Sequence, residues 1–152
     1  MQVTMPPSLE SCSRKIATEC LVSRVRVLNR AITRIYDEAM RGQGVTVAQL
    51  NTLIVINEMG EARPSDVAAA LDVDLSTLTR NLRRMVEHGW LKAVASDDGR
   101  SQPLQLTARG RSLIEKLFPL WSKAQEQVVN LLGESFTKAV FRAAARFSQL
   151  PS

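Results

Sequence analysis

Residues 74–110 read DLSTLTRNLRRMVEHGWLKAVASDDGRSQPLQLTARG, and their apolar period changes partway along. Leu75, Leu78, Leu82, Met85 and Val86 recur at three and four residues, which makes them the inward face of an amphipathic helix. The helix begins near Asp74 or Leu75, and His88-Gly89 ends the pattern with a cationizable last turn and a glycine at the C′ position. Alternation then takes over across 90–96 and 102–106, two short strands joined by a turn over 97–101, with Gly99 available for a positive φ.

Just upstream, Pro64 and Ser65 open a short helix, SDVAAALD, whose alanines permit close packing. Asp72-Val73 joins it to the next helix, so the two form a helix-turn-helix with a hairpin wing beside it. Thr46 caps an earlier, mostly apolar helix carrying Leu50, Leu53, Ile54, Ile56 and Met59, which Gly60 stops.

Longer helices flank this unit. Residues 13–41 contain neither Gly nor Pro, and Leu21, Val25, Leu28, Ile32, Ile35 and Ala39 mark one apolar stripe on a single long helix. Arg26, Arg30 and Arg34 form a separate basic stripe. Thr107 caps a helix over 108–132 with Leu113, Leu117, Leu120, Ala124 and Val128 on one side. Pro119 lies inside it, so a kink near Leu117 and Phe118 is expected. Gly133 breaks it, and 136–150 form a terminal helix bearing Val140, Phe141, Ala144 and Phe147.

The expected class is mainly α with a small β-wing. Residues 1–12 form a flexible arm, 13–44 an N-terminal dimerisation helix, 45–110 the winged lobe and 111–152 C-terminal dimerisation helices. The end helices carry more apolar surface than one small winged domain covers, which predicts a two-fold homodimer.

Composition narrows the function classes. The 152 residues are 45% hydrophobic and 23% charged, a globular balance in a chain of one ordinary domain. No apolar run approaches a membrane span, and the start MQVTMPPSLES lacks the basic and apolar regions of a secretory signal; a cytoplasmic protein is expected. The net charge of +5 suits a polyanionic partner. Residues 61–111, however, hold eight Lys/Arg against seven Asp/Glu, whereas 13–42 hold seven against three. Placement of charge in the winged lobe therefore matters more than its sum. Ser76, Thr77, Arg80 and Arg83 lie on the outward helix face. Short hydroxyls there allow close approach to DNA, and arginine pairs bidentately with guanine. Arg84 lies about 100° from Arg83, where it serves as a phosphate contact or an exposed residue. Arg100 at the wing suits a narrow minor groove.

Four motifs in order then carry a family resemblance. Val45-Thr46-Val47-Ala48-Gln49-Leu50 opens one helix, and Leu75-Ser76-Thr77-Leu78-Thr79-Arg80 opens another. Gly89-Trp90-Leu91 follows, and then Asp98-Gly99-Arg100 with Leu106-Thr107-Ala108-Arg109-Gly110. Over about residues 16–132 the chain resembles the MarR family of winged-helix regulators. The resemblance implies a repressor that binds a near-palindromic double-stranded DNA operator as a homodimer. By position, Ser76, Thr77, Thr79, Arg80 and Arg83 meet bases or phosphates. Arg100 is the wing contact, and Asp98 holds either that arginine or the loop in place. The wing tip departs from the family in carrying Ser101-Gln102 where many relatives are more basic.

Relatives that bind phenolic acids suggest a small aromatic or other organic effector, with Trp90, Phe118 and Trp121 as pocket candidates beside Arg30 as a carboxylate partner. Relatives that sense peroxide through an N-terminal helix cysteine make Cys20 a redox candidate, in competition with an inert buried thiol. On one helix Cys12 and Cys20 lie roughly 12 Å apart along the axis, too far for a disulfide. His88 is the only histidine, so no His-pair metal site is expected, and no cofactor is implied. No nucleophile elbow, P-loop or dinucleotide fingerprint is present, which argues against an enzyme. The remaining alternative is a winged module that binds protein partners instead of an operator.

Overall fold

A computed structural model of the chain describes residues 8–95 and 102–147. The chain divides into two compact units, one up to Arg34 and one from Ile35 onward. The first unit holds α1 (Leu9–Glu19) and most of α2 (Leu21–Met40). The second holds the end of α2, then α3 (Val47–Met59), α4 (Pro64–Leu71), α5 (Leu75–Glu87), β1 (Leu91–Ala93), β2 (Leu104–Leu106), α6 (Ala108–Leu132) and α7 (Glu134–Phe147).

The single helix expected over 13–41 is two helices. Ser8 caps α1 by accepting from Ser11 N–H, which starts the helix four residues before Ser13. Cys20 then adopts extended geometry (φ −66°, ψ 107°) and ends α1 without glycine or proline. The carbonyls left open there are taken by Arg24, whose guanidinium donates to Ala17 O at 3.1 Å and Thr18 O at 3.3 Å. The apolar stripe of this unit is open to solvent in the single chain: Leu9, Ile16, Leu21 and Val25 are all exposed.

In the second unit, local capping explains the boundaries. Thr46 and Gln49 form a reciprocal capping box at α3, and Asp37 of α2 also accepts from Val47 N–H at 2.7 Å. α4 ends in a Schellman arrangement: Val73 N–H reaches Ala68 O and Asp72 N–H reaches Ala69 O. Asp72 occupies the left-handed position of that cap at φ 51°. α5 ends at His88, with Gly89 at φ 71°.

The core is formed by Met40, Leu53, Ile56, Val67, Leu78, Leu82, Met85, Leu91, Leu104, Leu106 and Leu117, all buried. Leu75 and Val86, expected inward, are exposed; the buried stripe of α5 is the narrower set Leu78, Leu82 and Met85. Both strands are shorter than expected, pairing antiparallel with Leu91 opposite Leu106 and Ala93 opposite Leu104. The hairpin is also stitched to the chain before α4, where Ala62 exchanges both backbone hydrogen bonds with Leu104. α6 runs unbroken through Pro119. Tyr36 at the end of α2 donates its hydroxyl to Gln125 of α6, and burial raises the phenol's pKa. α7 buries none of its described residues and leaves Phe136, Val140 and Phe141 exposed. Among the described residues no helix is long and apolar enough to cross a membrane.

Candidate nucleic-acid interface

α5 turns one face to the core and the other to solvent. At about 100° per residue, Arg80 and Ser76 lie within about 30° of the line opposite the buried stripe of Leu78, Leu82 and Met85. Arg83 and Arg84 flank that line at about 50°, and Thr77 and Thr79 at about 70–90°. All six are exposed. Arg80 and Arg84 make no ion pair with a described residue, so their charge is available to a ligand. Arg83 pairs with Glu87 at 3.2 Å, a solvent-exposed i,i+4 contact that a phosphate would replace at little cost.

The hydroxyls are partly committed. Asp74 accepts from Ser76 N–H at 2.8 Å, from Thr77 N–H at 3.2 Å and from the Ser76 hydroxyl. These bonds, the Ser76 hydroxyl foremost, hold the Asp74 carboxyl below the usual carboxylate range. Thr79 donates back to Leu75 O at 2.7 Å. Asn81, on the α3 side, accepts from Gln49 at 3.3 Å and so fixes α5 against the start of α3.

The root of the wing is fixed to the end of α5 through one threonine. Thr107 Oγ1 donates toward Gly89 O at 2.7 Å, lies 3.2 Å from Trp90 O, and accepts from Gly110 N–H at 3.0 Å. Its backbone N–H reaches Trp90 O at 3.1 Å. Gly110 packs so closely that a Cβ there would sit 2.2 Å from Trp90 O. The Leu106 to Gly110 motif thus has a local physical cause: cap, carbonyl clamp and close approach. The cap is legible in the sequence; the carbonyl clamp and the close approach of Gly110 are not. Asp98 and Arg100, the wing-tip candidates, lie outside the described residues.

The effector candidates separate. Phe118 and Trp121 stack with centroids 6.1 Å apart and, with Leu50, Asn51, Ile54 and Ile114, line a cavity of about 300 Å³ between α3 and α6. Trp90 is not part of it. It is buried at the base of the wing, where His88 stacks on it at 4.6 Å. Arg30 is exposed on α2 in the first unit. Leu50, Asn51, Ile54 and Ile114 were missed, although Ile114, Phe118 and Trp121 share one helix face at i, i+4 and i+7.

Cys20 is half-buried, and the Ser23 hydroxyl and N–H lower its thiol pKa. It forms no disulfide with Cys12. The described residues contain no group of three His, Cys, Asp or Glu side chains arranged for a metal.

A helix-turn-helix followed by a two-stranded wing defines a winged-helix protein, and comparisons narrow that class. A model of the MarR family matches residues 43–101. The transcriptional regulator MosR of M. tuberculosis, in complex with DNA, superposes with a TM-score of 0.75 at 35% identity, over 86% of this chain and 95% of that one. The multiple antibiotic resistance protein MarR of Escherichia coli is 29% identical over 63% of this chain and 67% of its own length. A mutant of E. coli MarR complexed with operator DNA shares the fold, with a TM-score of 0.78 at 22% identity over 90% of this chain and 98% of that one. The chain belongs to the MarR family of transcriptional regulators.

Proposed function

We propose that the protein is a repressor that binds a near-palindromic operator as a homodimer, with α5 in the major groove and the wing against the minor groove. The observation that carries this reading is the exposed α5 face centred on Ser76 and Arg80, directly opposite the buried stripe. The DNA complex of the 35%-identical MosR supports it. In this reading Thr77, Thr79, Arg83 and Arg84 contact bases or phosphates beside Arg80, and Asp98 and Arg100 serve the wing. Exposed apolar residues on α1, α2 and α7 support pairing with a second copy. Two recognition helices about 34 Å apart would then read two half-sites.

A small, largely apolar effector is assigned to the cavity lined by Asn51, Phe118 and Trp121. α6 carries two of those side chains and, at its N-terminus, holds the wing root through Thr107. A ligand that changes how α3 sits on α6 would favour a different spacing of the recognition helices, as coupling requires. Redox control through Cys20 has no comparable support.

Operator binding is tested by titration across salt concentrations. A dimer making about ten phosphate contacts gives a slope of log K against log salt near −9. Arg80→Ala should weaken operator binding by roughly 10- to 100-fold, the worth of one good base pairing or charged contact. A flat salt response, or undiminished binding by Arg80→Ala, defeats the reading.

A further inference from the structure

The cavity between α3 and α6 has a lining that selects by charge. Leu50, Ile54 and Ile114 give it aliphatic walls, and Phe118 and Trp121 give it two rings inclined by 23°. None of the side chains that line it is charged, and Arg30, the expected carboxylate partner, is not among them. Along the same face of α3, one turn past Ile54, stands Glu58, exposed and negative. On α6 the cation one turn before Ile114 is Arg111, and its guanidinium is turned back to donate to Leu106 O at 3.2 Å. An anion in this cavity would lose water and gain no cation in return, which makes its burial costly.

One polar group is placed to orient a ligand. Asn51 is exposed at the cavity, and its amide makes no hydrogen bond with a described residue. An amide offers both a donor and an acceptor, so it meets a hydroxyl, a carbonyl or an N–H without needing charge. At about 300 Å³ the cavity is at the small end of ligand pockets, which suits a compound of one or two rings. Aromatic rings gain from offset or edge-to-face contact with Phe118 and Trp121 beyond the area they bury.

We propose that the cavity takes an uncharged aromatic compound of one or two rings, oriented by a hydroxyl, carbonyl or N–H group on Asn51, and that it rejects aromatic carboxylates. The proposal rests on the assignment of the cavity to an effector and adds the ligand's charge and ring character.

The test is calorimetric titration of the full chain at neutral pH with three probes of similar size. 2-Naphthol is uncharged there, 2-naphthoate is an anion, and decahydro-2-naphthol keeps the hydroxyl but lacks aromatic rings. The wild type should bind 2-naphthol at least roughly 10-fold more tightly than 2-naphthoate. It should bind 2-naphthol roughly 2- to 10-fold more tightly than decahydro-2-naphthol. Asn51→Leu keeps the size and removes the amide, so 2-naphthol should weaken by roughly 2- to 10-fold. Asn51→Arg supplies the missing cation and should reverse the order in favour of 2-naphthoate. Asn51 is exposed, so both replacements leave the core intact, and equal melting temperatures check this.

Equal or tighter binding of 2-naphthoate by the wild type would overturn the charge selection and leave the effector cavity standing. Equal binding of decahydro-2-naphthol would overturn the aromatic preference. Binding of 2-naphthol that neither Asn51 variant alters would put the compound elsewhere and overturn the proposal. Binding of none of the three, as when a second copy covers the cavity, would bring down the effector assignment and this proposal together.

Discussion

Replacing Gly110 by alanine adds one methyl group where the chain has no room. The new Cβ would lie 2.2 Å from Trp90 O and 3.1 Å from both Trp90 C and the Leu106 side chain. The nearest obstacle is backbone, and that carbonyl is held in place by Thr107. The first turn of α6 must therefore move away by nearly an ångström. Overpacking of this kind costs about 1–3 kcal/mol. Loss of the Thr107 N–H bond to Trp90 O adds about 1 kcal/mol. Alanine's better helix propensity returns about 1 kcal/mol. The net expectation is a loss of about 1–3 kcal/mol, or roughly 2–12 °C in melting temperature for a chain of this size. Thermal and urea unfolding at matched protein concentration measure it, since any self-association would make stability depend on concentration. Gly42→Ala is the control, because a Cβ there meets nothing within 4 Å. If Gly110→Ala melts at or above the wild type while the control is neutral, the clamp between α6 and the wing root is wrong.

Thr107→Val should cost about 1–3 kcal/mol by leaving the Gly89 carbonyl and the Gly110 N–H without their partner, and Thr107→Ser should restore most of it; urea midpoints decide. Asp72→Val should destabilise by more than about 1 kcal/mol, since a β-branched residue resists the left-handed conformation, whereas Asp72→Asn should stay within about 0.5 kcal/mol of the wild type. For Asp74 the folded-state pKa is depressed, so its capping contribution is present in full above the ordinary carboxylate range and is lost as pH falls through the folded value. The stability gap between the wild type and Asp74→Ala should therefore shrink between neutral pH and about pH 3, and a constant gap would refute the ionised cap.

Where structure is set by neighbours in the chain, the sequence was a good guide. Thr46 and Thr107 cap the helices that they were expected to cap, because a cap bonds to N–H groups two or three residues away. The span of α6 was read correctly at both ends from Thr107 and Gly133. The outward position of Arg80 follows from helical period alone, once Leu78, Leu82 and Met85 are placed inside. These signals are enough to specify a helix-turn-helix and its wing.

Other features depend on partners far along the chain or on packing that periodicity does not encode. The break at Cys20 carries no glycine or proline; it is held by Arg24 reaching back to carbonyls that an unbroken helix would have used itself. Leu75 and Val86 are apolar yet exposed, because α5 is covered along a stripe narrower than its apolar face. Trp90 and Trp121 are alike as residues, but the close approach of Gly110 confines one to the wing root while α3 opens a cavity beside the other. The pairing of Ala62 with Leu104 spans more than forty residues and leaves no mark on either local sequence. Caps, turns and periods act over a few residues, so the sequence by itself determined the elements and the face of α5 that looks outward. Which apolar side chains make core, cavity or open surface was decided only when distant elements met, because burial belongs to a pair of surfaces and a sequence shows one side at a time.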